Sequence, residues 1–197
     1  HVGKREQRHQ IFGGSSRRHG LPIVYVNQVG GHDQVVYDGA SFAAEPAAGI
    51  VFEAPRFVED VRRLRFDNGH FLTGEGQAPA PVPAEGLPTM EFYRQQILLG
   101  LKDYARRCGF TQVVVGSSGG IDSALTLALA AQALGPENVV GITMPSRYSS
   151  SGSVDDSVAL CQNLGIPLYT HPIAELVNQF HQNYQQASDA ELKGLAA

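Results

Sequence analysis

Residues 116–123 read Gly-Ser-Ser-Gly-Gly-Ile-Asp-Ser and join an apolar run, Val113-Val114-Val115, to a helix-forming stretch from Ala124 to Leu134. A strand that ends in small residues and turns at once into a helix leaves backbone N–H groups without acceptors at the positive end of the helix dipole, where an anion satisfies them. Gly119 and Gly120 let that backbone come close to a ligand. Asp122 would repel a bare phosphate, so its place beside the loop points to a magnesium ion that bridges carboxylate and pyrophosphate. Two commoner nucleotide loops are excluded by spelling. No Lys follows these glycines as a Walker loop requires. Gly74-Glu75-Gly76 runs into Gln77, Ala78 and Pro79 with no third glycine and no expected strand before it, so it is not a dinucleotide fingerprint. The plainer alternative for 116–123 is a glycine-serine turn between a core strand and a core helix.

Fifteen basic and nineteen acidic residues give a net charge of −4, a balance that favours neither a nucleic-acid nor a membrane surface. No apolar run reaches the length of a membrane-spanning helix. The chain opens on His1 rather than Met, as expected of an internal piece of a longer protein. Cys108 and Cys161 are too few for a disulfide framework or zinc site, and both are expected to pack on helices. His9, His19, His32, His70, His171 and His181 show no metal-ligand spacing, and Asp155-Asp156 reads as a helix start rather than a metal pair.

The proline run Ala78-Pro79-Ala80-Pro81-Val82-Pro83 cannot form a helix or a central strand and marks a linker, set at 71–89. Before it, a helix over Lys4–Arg18 precedes a meander of short strands at Leu21–Val29, Gln34–Tyr37, Ser41–Ala44 and Ile50–Phe52, with a turn expected at Gly30-Gly31-His32-Asp33. After it, Met90, Tyr93, Ile97, Leu101, Tyr104 and Cys108 recur at helical spacing as one apolar face, with Thr89 as N-cap. Strands at 113–116, 139–143 and 167–170 alternate with helices at 124–134 and 154–164, the second opened by a Ser153-x-x-Asp156 capping pair. That alternation predicts an α/β unit with a parallel sheet, whose ligand lies beyond the carboxyl ends of the strands. Met144 to Tyr148, after the second strand, then faces the same crevice as the phosphate loop.

With these residues placed, Ser118 to Ser123 resembles the SGGxDS loop of the PP-loop ATP pyrophosphatases. Gly116–Leu125 with Gly141–Ser150 resembles the synthetase domain of NAD synthetases, while His1–Arg8 and Leu21–Gly31 resemble the late part of the nitrilase-type glutaminase domain fused ahead of it in the glutamine-dependent branch. The resemblance implies an α/β chain: the end of a nitrilase-like αββα sandwich (1–70), the linker (71–89) and the first half of a doubly wound parallel-sheet PP-loop domain (90–197). It implies ATP-dependent amidation of deamido-NAD with glutamine-derived ammonia, in a cytoplasmic homo-oligomer, with Mg2+ as cofactor. Carried over by position, Gly116, Ser117, Ser118, Gly119, Gly120, Ile121, Asp122 and Ser123 match the ATP loop, with Asp122 the magnesium partner. Lys4 matches a glutamine-contacting lysine, although by itself it reads as an exposed helical charge. Arg147 either reaches ATP phosphates or caps its loop. The glutaminase Glu, Lys and Cys of the family fall upstream of His1, so no catalytic residue is assigned, and the segment alone is expected to be inactive. Ser117 departs from the family, where leucine is common, and is expected to loosen the loop's seat. Another PP-loop enzyme, of the GMP synthetase or RNA-thiolation type, and a non-catalytic ATP-binding module are the alternatives.

Overall fold

A computed structural model describes residues 3–147 and 149–188, so His1, Val2 and Tyr148 of the sequence motifs lie outside the described residues. The fold is mixed α/β and divides into two compact units between Arg107 and Cys108. The first unit runs α1 (Lys4–His19), β1 (Ile23–Tyr25), β2 (Val29–His32), β3 (Val35–Asp38), β4 (Phe42–Glu45), β5 (Gly49–Glu53), β6 (Leu64–Asp67), β7 (His70–Thr73) and α2 (Thr89–Cys108). Helix α1 stops where Gly20, at φ 65°, turns its N–H back onto the Ser16 carbonyl, and Arg17, Arg18 and His19 face the negative end of the dipole. Its Gly13 sits against Ile50 of β5, and Phe12 joins Tyr25 and Phe42 in an aromatic cluster whose Tyr25–Phe42 centroids are 4.9 Å apart. Buried Arg5 fixes the helix to the sheet through both Glu53 oxygens, each at 2.9 Å.

The strands do not form a simple meander. β1 pairs antiparallel with β4, which pairs with β5, while β2 and β3 form a separate hairpin. The expected turn at Gly30-Gly31-His32 is strand β2, and the chain reverses at Asp33-Gln34. The reason is long-range: Gly30, at φ 114°, leaves room for Asp103 of α2, whose carboxylate accepts the Gly31 N–H at 2.8 Å. The hairpin β6–β7 precedes Gly74, so a strand does stand before Gly74-Glu75-Gly76, but no helix follows that turn directly. The segment set at 71–89 begins with the last residues of β7.

Helix α2 covers its expected range, yet Met90, Tyr93, Ile97, Tyr104 and Cys108 are exposed, and Phe92, Asp103 and Ala105 are buried. Packing against the hairpin overrides the apolar periodicity because the hairpin presents backbone groups that polar residues satisfy: Gln96 donates to the Val36 carbonyl at 2.9 Å, and Asp103 accepts from Gly31. The Gly31 N–H and the nearby Arg106 hold the Asp103 carboxyl below the ordinary carboxylate range. Asp103→Ala strands the Gly31 N–H and is expected to cost about 1–2 kcal/mol in urea unfolding. An unchanged midpoint would show that water replaces the carboxylate.

The second unit runs β8 (Val113–Gly116), α3 (Ile121–Leu134), a 3-10 turn at Pro136–Asn138, β9 (Val139–Thr143), α4 (Ser151–Leu164), β10 (Leu168–Thr170) and α5 (Ala174–Ser188). Its sheet is parallel, as the alternation predicts, and its strands run in the order β10-β9-β8. Gly141 of central β9 admits α4 closely, for a Cβ there would stand 3.1 Å from the Cys161 sulfur. Cys161 is therefore packed, and burial pushes its thiol up, whereas Cys108 is exposed, contrary to the expectation of packing for both. Helix α4 starts earlier than its spelling suggests: Ser150 is the N-cap and accepts the Ser153 N–H at 3.1 Å, so the Ser153-Asp156 capping pair is not the start.

Candidate phosphate-binding site

Gly116 ends β8 and Thr143 ends β9, and both open on one cavity of about 350 Å³ that Ser117, Ser118, Met144, Ser149, Ser153 and Val154 also line. This is the crevice at the carboxyl ends of parallel strands that the alternation pointed to. The loop is braced from within. Ser123 Oγ donates to the Gly120 carbonyl at 2.9 Å and accepts the Ser118 N–H at 3.2 Å, while Ser118 Oγ accepts the Gly120 N–H at 3.3 Å. Gly120, extended at φ −88° and ψ 162°, is the residue before α3, and the first helical bond runs from Ala124 N to Gly120 O. The amides of Ile121, Asp122 and Ser123 consequently have no acceptor within the helix and sit at its positive end.

Gly119 takes the one positive φ in the loop, 78°, and lies directly against the first turn of α4. Asp122 is exposed in the first turn of α3, Ile121 is exposed beside it, and Arg147 is exposed in the turn after β9. Among the described residues, neither Asp122 nor Arg147 lines the cavity. No group of three or more His, Cys, Asp or Glu side chains able to hold a metal ion occurs among the described residues.

Ser117 behaves unlike its neighbours. Its amide donates to the Ile142 carbonyl at 2.7 Å, and its buried hydroxyl donates to Ser157 Oγ at 2.8 Å. The side chain thus faces α4 rather than the cavity floor, and the loop is seated by a hydrogen bond where loosening was expected. In the first unit, Lys4 opens α1, donates to Gln7 Oε1 at 3.0 Å, and lines a cavity of about 230 Å³ with Arg8, Tyr25, Asn27, Asp38 and Gln96.

Residues 93–196, more than half of the chain, match the family model described as NAD synthase. The chain belongs to the NAD synthase family. Similar curated proteins include the glutamine-dependent NAD(+) synthetase of Synechocystis sp., 42% identical over 181 residues, which spans 91% of this chain and 32% of that protein. The protein of the same name from Rhodobacter capsulatus is 42% identical over 168 residues, or 85% of this chain and 30% of its own length. The chain spans about a third of the length of these relatives. Among solved structures, glutamine-dependent NAD+ synthetase from Acinetobacter baumannii in complex with ADP superposes with a TM-score of 0.88 at 35% identity, over 100% of this chain and 36% of that one. The enzyme of Cytophaga hutchinsonii, at 18% identity and TM-score 0.75 over 97% of this chain and 37% of its own, agrees in fold alone.

Two contacts between the loop and α4 carry no sequence signal. Ser157 stands 40 positions from Ser117, and Ser153 meets Gly119 only because α4 packs over the loop. A serine-rich start to the helix was visible, but which serine caps it and which one reaches back to the loop depends on tertiary placement.

Proposed function

We propose that this chain serves a glutamine-dependent NAD(+) synthetase. The carboxylate of deamido-NAD attacks the α-phosphorus of ATP and releases pyrophosphate. Ammonia freed from glutamine then attacks the acyl adenylate, AMP leaves, and NAD is formed. The observation that carries this reading is the family match over a braced Gly-Ser loop at the carboxyl ends of a parallel sheet. In it, Gly116 to Ser123 cradle the phosphates of ATP, with Arg147 nearby. The first-turn amides of α3 suit the departing pyrophosphate, whose charge they meet with fixed dipoles.

Asp122, exposed in the first turn of α3, would hold a magnesium ion, because Mg2+ commonly takes one or two carboxylates together with phosphates and water. The ion would neutralise charge on the phosphates. Residues 1–70 are read as the late part of a nitrilase-like glutaminase sandwich, joined by the 71–89 linker to the start of the synthetase domain (90–197), with Lys4 contacting glutamine. A cytoplasmic homo-oligomer belongs to the same reading. No helix among the described residues is long and apolar enough to cross a membrane.

The test uses protein expressed from the complete reading frame, given deamido-NAD and magnesium-ATP with glutamine or an ammonium salt. NAD should form from both donors. Lys4→Met is expected to raise KM for glutamine about tenfold, the scale of one lost charged hydrogen bond, with the ammonium-driven rate unchanged. NAD from neither donor would return the chain to the wider class of PP-loop ATP-binding proteins, and an ammonium rate that falls with the glutamine rate would remove Lys4 from the glutamine site.

A further inference from the structure

Ser117 Oγ donates to Ser157 Oγ at 2.8 Å, and Ser157 Oγ donates in turn to the Ser153 carbonyl at 2.9 Å. Ser117 is 5% and Ser157 1% exposed, so both hydroxyls have little access to bulk water. The relay ends on the residue that Gly119 touches, since Ser153 is the nearest neighbour of a Cβ placed on Gly119. Two points of the phosphate loop, Ser117 and Gly119, are therefore tied to one turn of α4.

We propose that Ser117 and Ser157 are a coupled positioning pair that fixes the phosphate loop against α4 and so sets the affinity for ATP, without either hydroxyl touching the nucleotide. The proposal rests on the ATP-binding reading of the loop and assigns Ser117 a role different from that of its neighbours. The direction of the relay makes the two serines unequal. Removing the Ser117 hydroxyl leaves Ser157 still donating to Ser153 and costs Ser157 only an incoming donor. Removing the Ser157 hydroxyl leaves the Ser117 O–H buried with nothing to accept it, which is the expensive case. The loop relieves it by shifting, and its amides leave their phosphate positions.

The experiment titrates ATP calorimetrically into the protein from the complete reading frame, and measures KM for ATP and for deamido-NAD alongside a thermal melt. Ser157→Ala should weaken ATP binding about tenfold and Ser117→Ala about threefold, following the asymmetry of an orphaned donor against an idle acceptor. The double variant should return to the Ser117→Ala level instead of multiplying the two losses. Ser157→Cys, which keeps the volume and a weak acceptor, should fall between wild type and Ser157→Ala and remains readable if the alanine variant melts early. KM for deamido-NAD should not move. Additive losses, or a lower melting temperature with ATP affinity intact, would overturn the pair as a positioning device. The titration needs no turnover. ATP binding with this variant pattern but no NAD formation sinks the NAD reading and keeps the pair, whereas NAD formation with ATP affinity indifferent to all three alanine variants does the reverse.

Discussion

Gly119→Ala is expected to lower kcat/KM for ATP by about 100-fold, the scale of a catalytic geometry displaced by about an ångström. Two independent penalties act at this position. At φ 78° an alanine carries the strain of left-handed backbone, and its Cβ would stand 2.5 Å from the Ser153 carbonyl oxygen and 2.6 Å from Ser153 Cα. The opposing atoms are helix backbone, which cannot swing aside as a long side chain could. Either the loop lifts off α4 or the first turn of α4 unwinds, and both move the amides of Ile121 to Ser123 off the phosphate positions. Gly152→Ala is the control. It lies in the same turn of α4, its Cβ would meet only Ser150 Oγ at 3.9 Å, and alanine favours a helix, so ATP kinetics should stay near wild type. Equal losses in the two variants would point to general damage to α4, and full activity in Gly119→Ala would remove the loop–α4 contact from the account.

The strand, loop and helix of the candidate site were legible because their signals are local. Val113 to Val115 form a strand, Ala124 to Leu134 a helix, and the small residues between them have few other uses. Fold class and the parallel sheet followed from the same alternation. What could not be read depends on contacts between distant segments. Gly30-Gly31 looks like a turn until Asp103 is seen to occupy the space of the missing Cβ. The apolar stripe of α2 looks like its buried face, yet Gln96 and Asp103 meet backbone groups of the β2–β3 hairpin and Phe92 packs against Phe57. Ser117 looks like a defect in an apolar seat until Ser157 is found to receive its hydroxyl. Hairpin β6–β7 turns on Asn68-Gly69, both at positive φ, a local signal that was not read, and helix α5 was not read either.

Asp38→Asn is expected to destabilise the first unit by about 2 kcal/mol near neutral pH, less than a fully buried pair because the cluster keeps some contact with water. Asp38 accepts from Arg56 at 2.6 Å, from Arg8 at 3.1 Å and from Asn27 Nδ2 at 3.3 Å, with its side chain 13% exposed. Arg56 also lies over the Phe92 ring at 4.9 Å, so the carboxylate holds together α1, the end of β3 and α2. Two guanidiniums share one counter-charge, and an amide in its place leaves both uncompensated. Burial by itself would raise the Asp38 pKa, but the hydrogen bonds and charges of Arg56 and Arg8 outweigh it and hold the carboxyl below its ordinary value. The sign of the pH dependence follows. A depressed folded-state pKa contributes stability above the unfolded value near ~3.9 and loses it as pH falls through the folded pKa. Wild type and Asp38→Asn should therefore differ most above about pH 5 and converge toward acid, where wild type too has lost the carboxylate charge. Urea unfolding of the two proteins at a series of pH values measures this directly. A gap that persists unchanged at the acid end would assign the loss to packing, and no gap at pH 7 would mean that water and the remaining partners already satisfy both arginines.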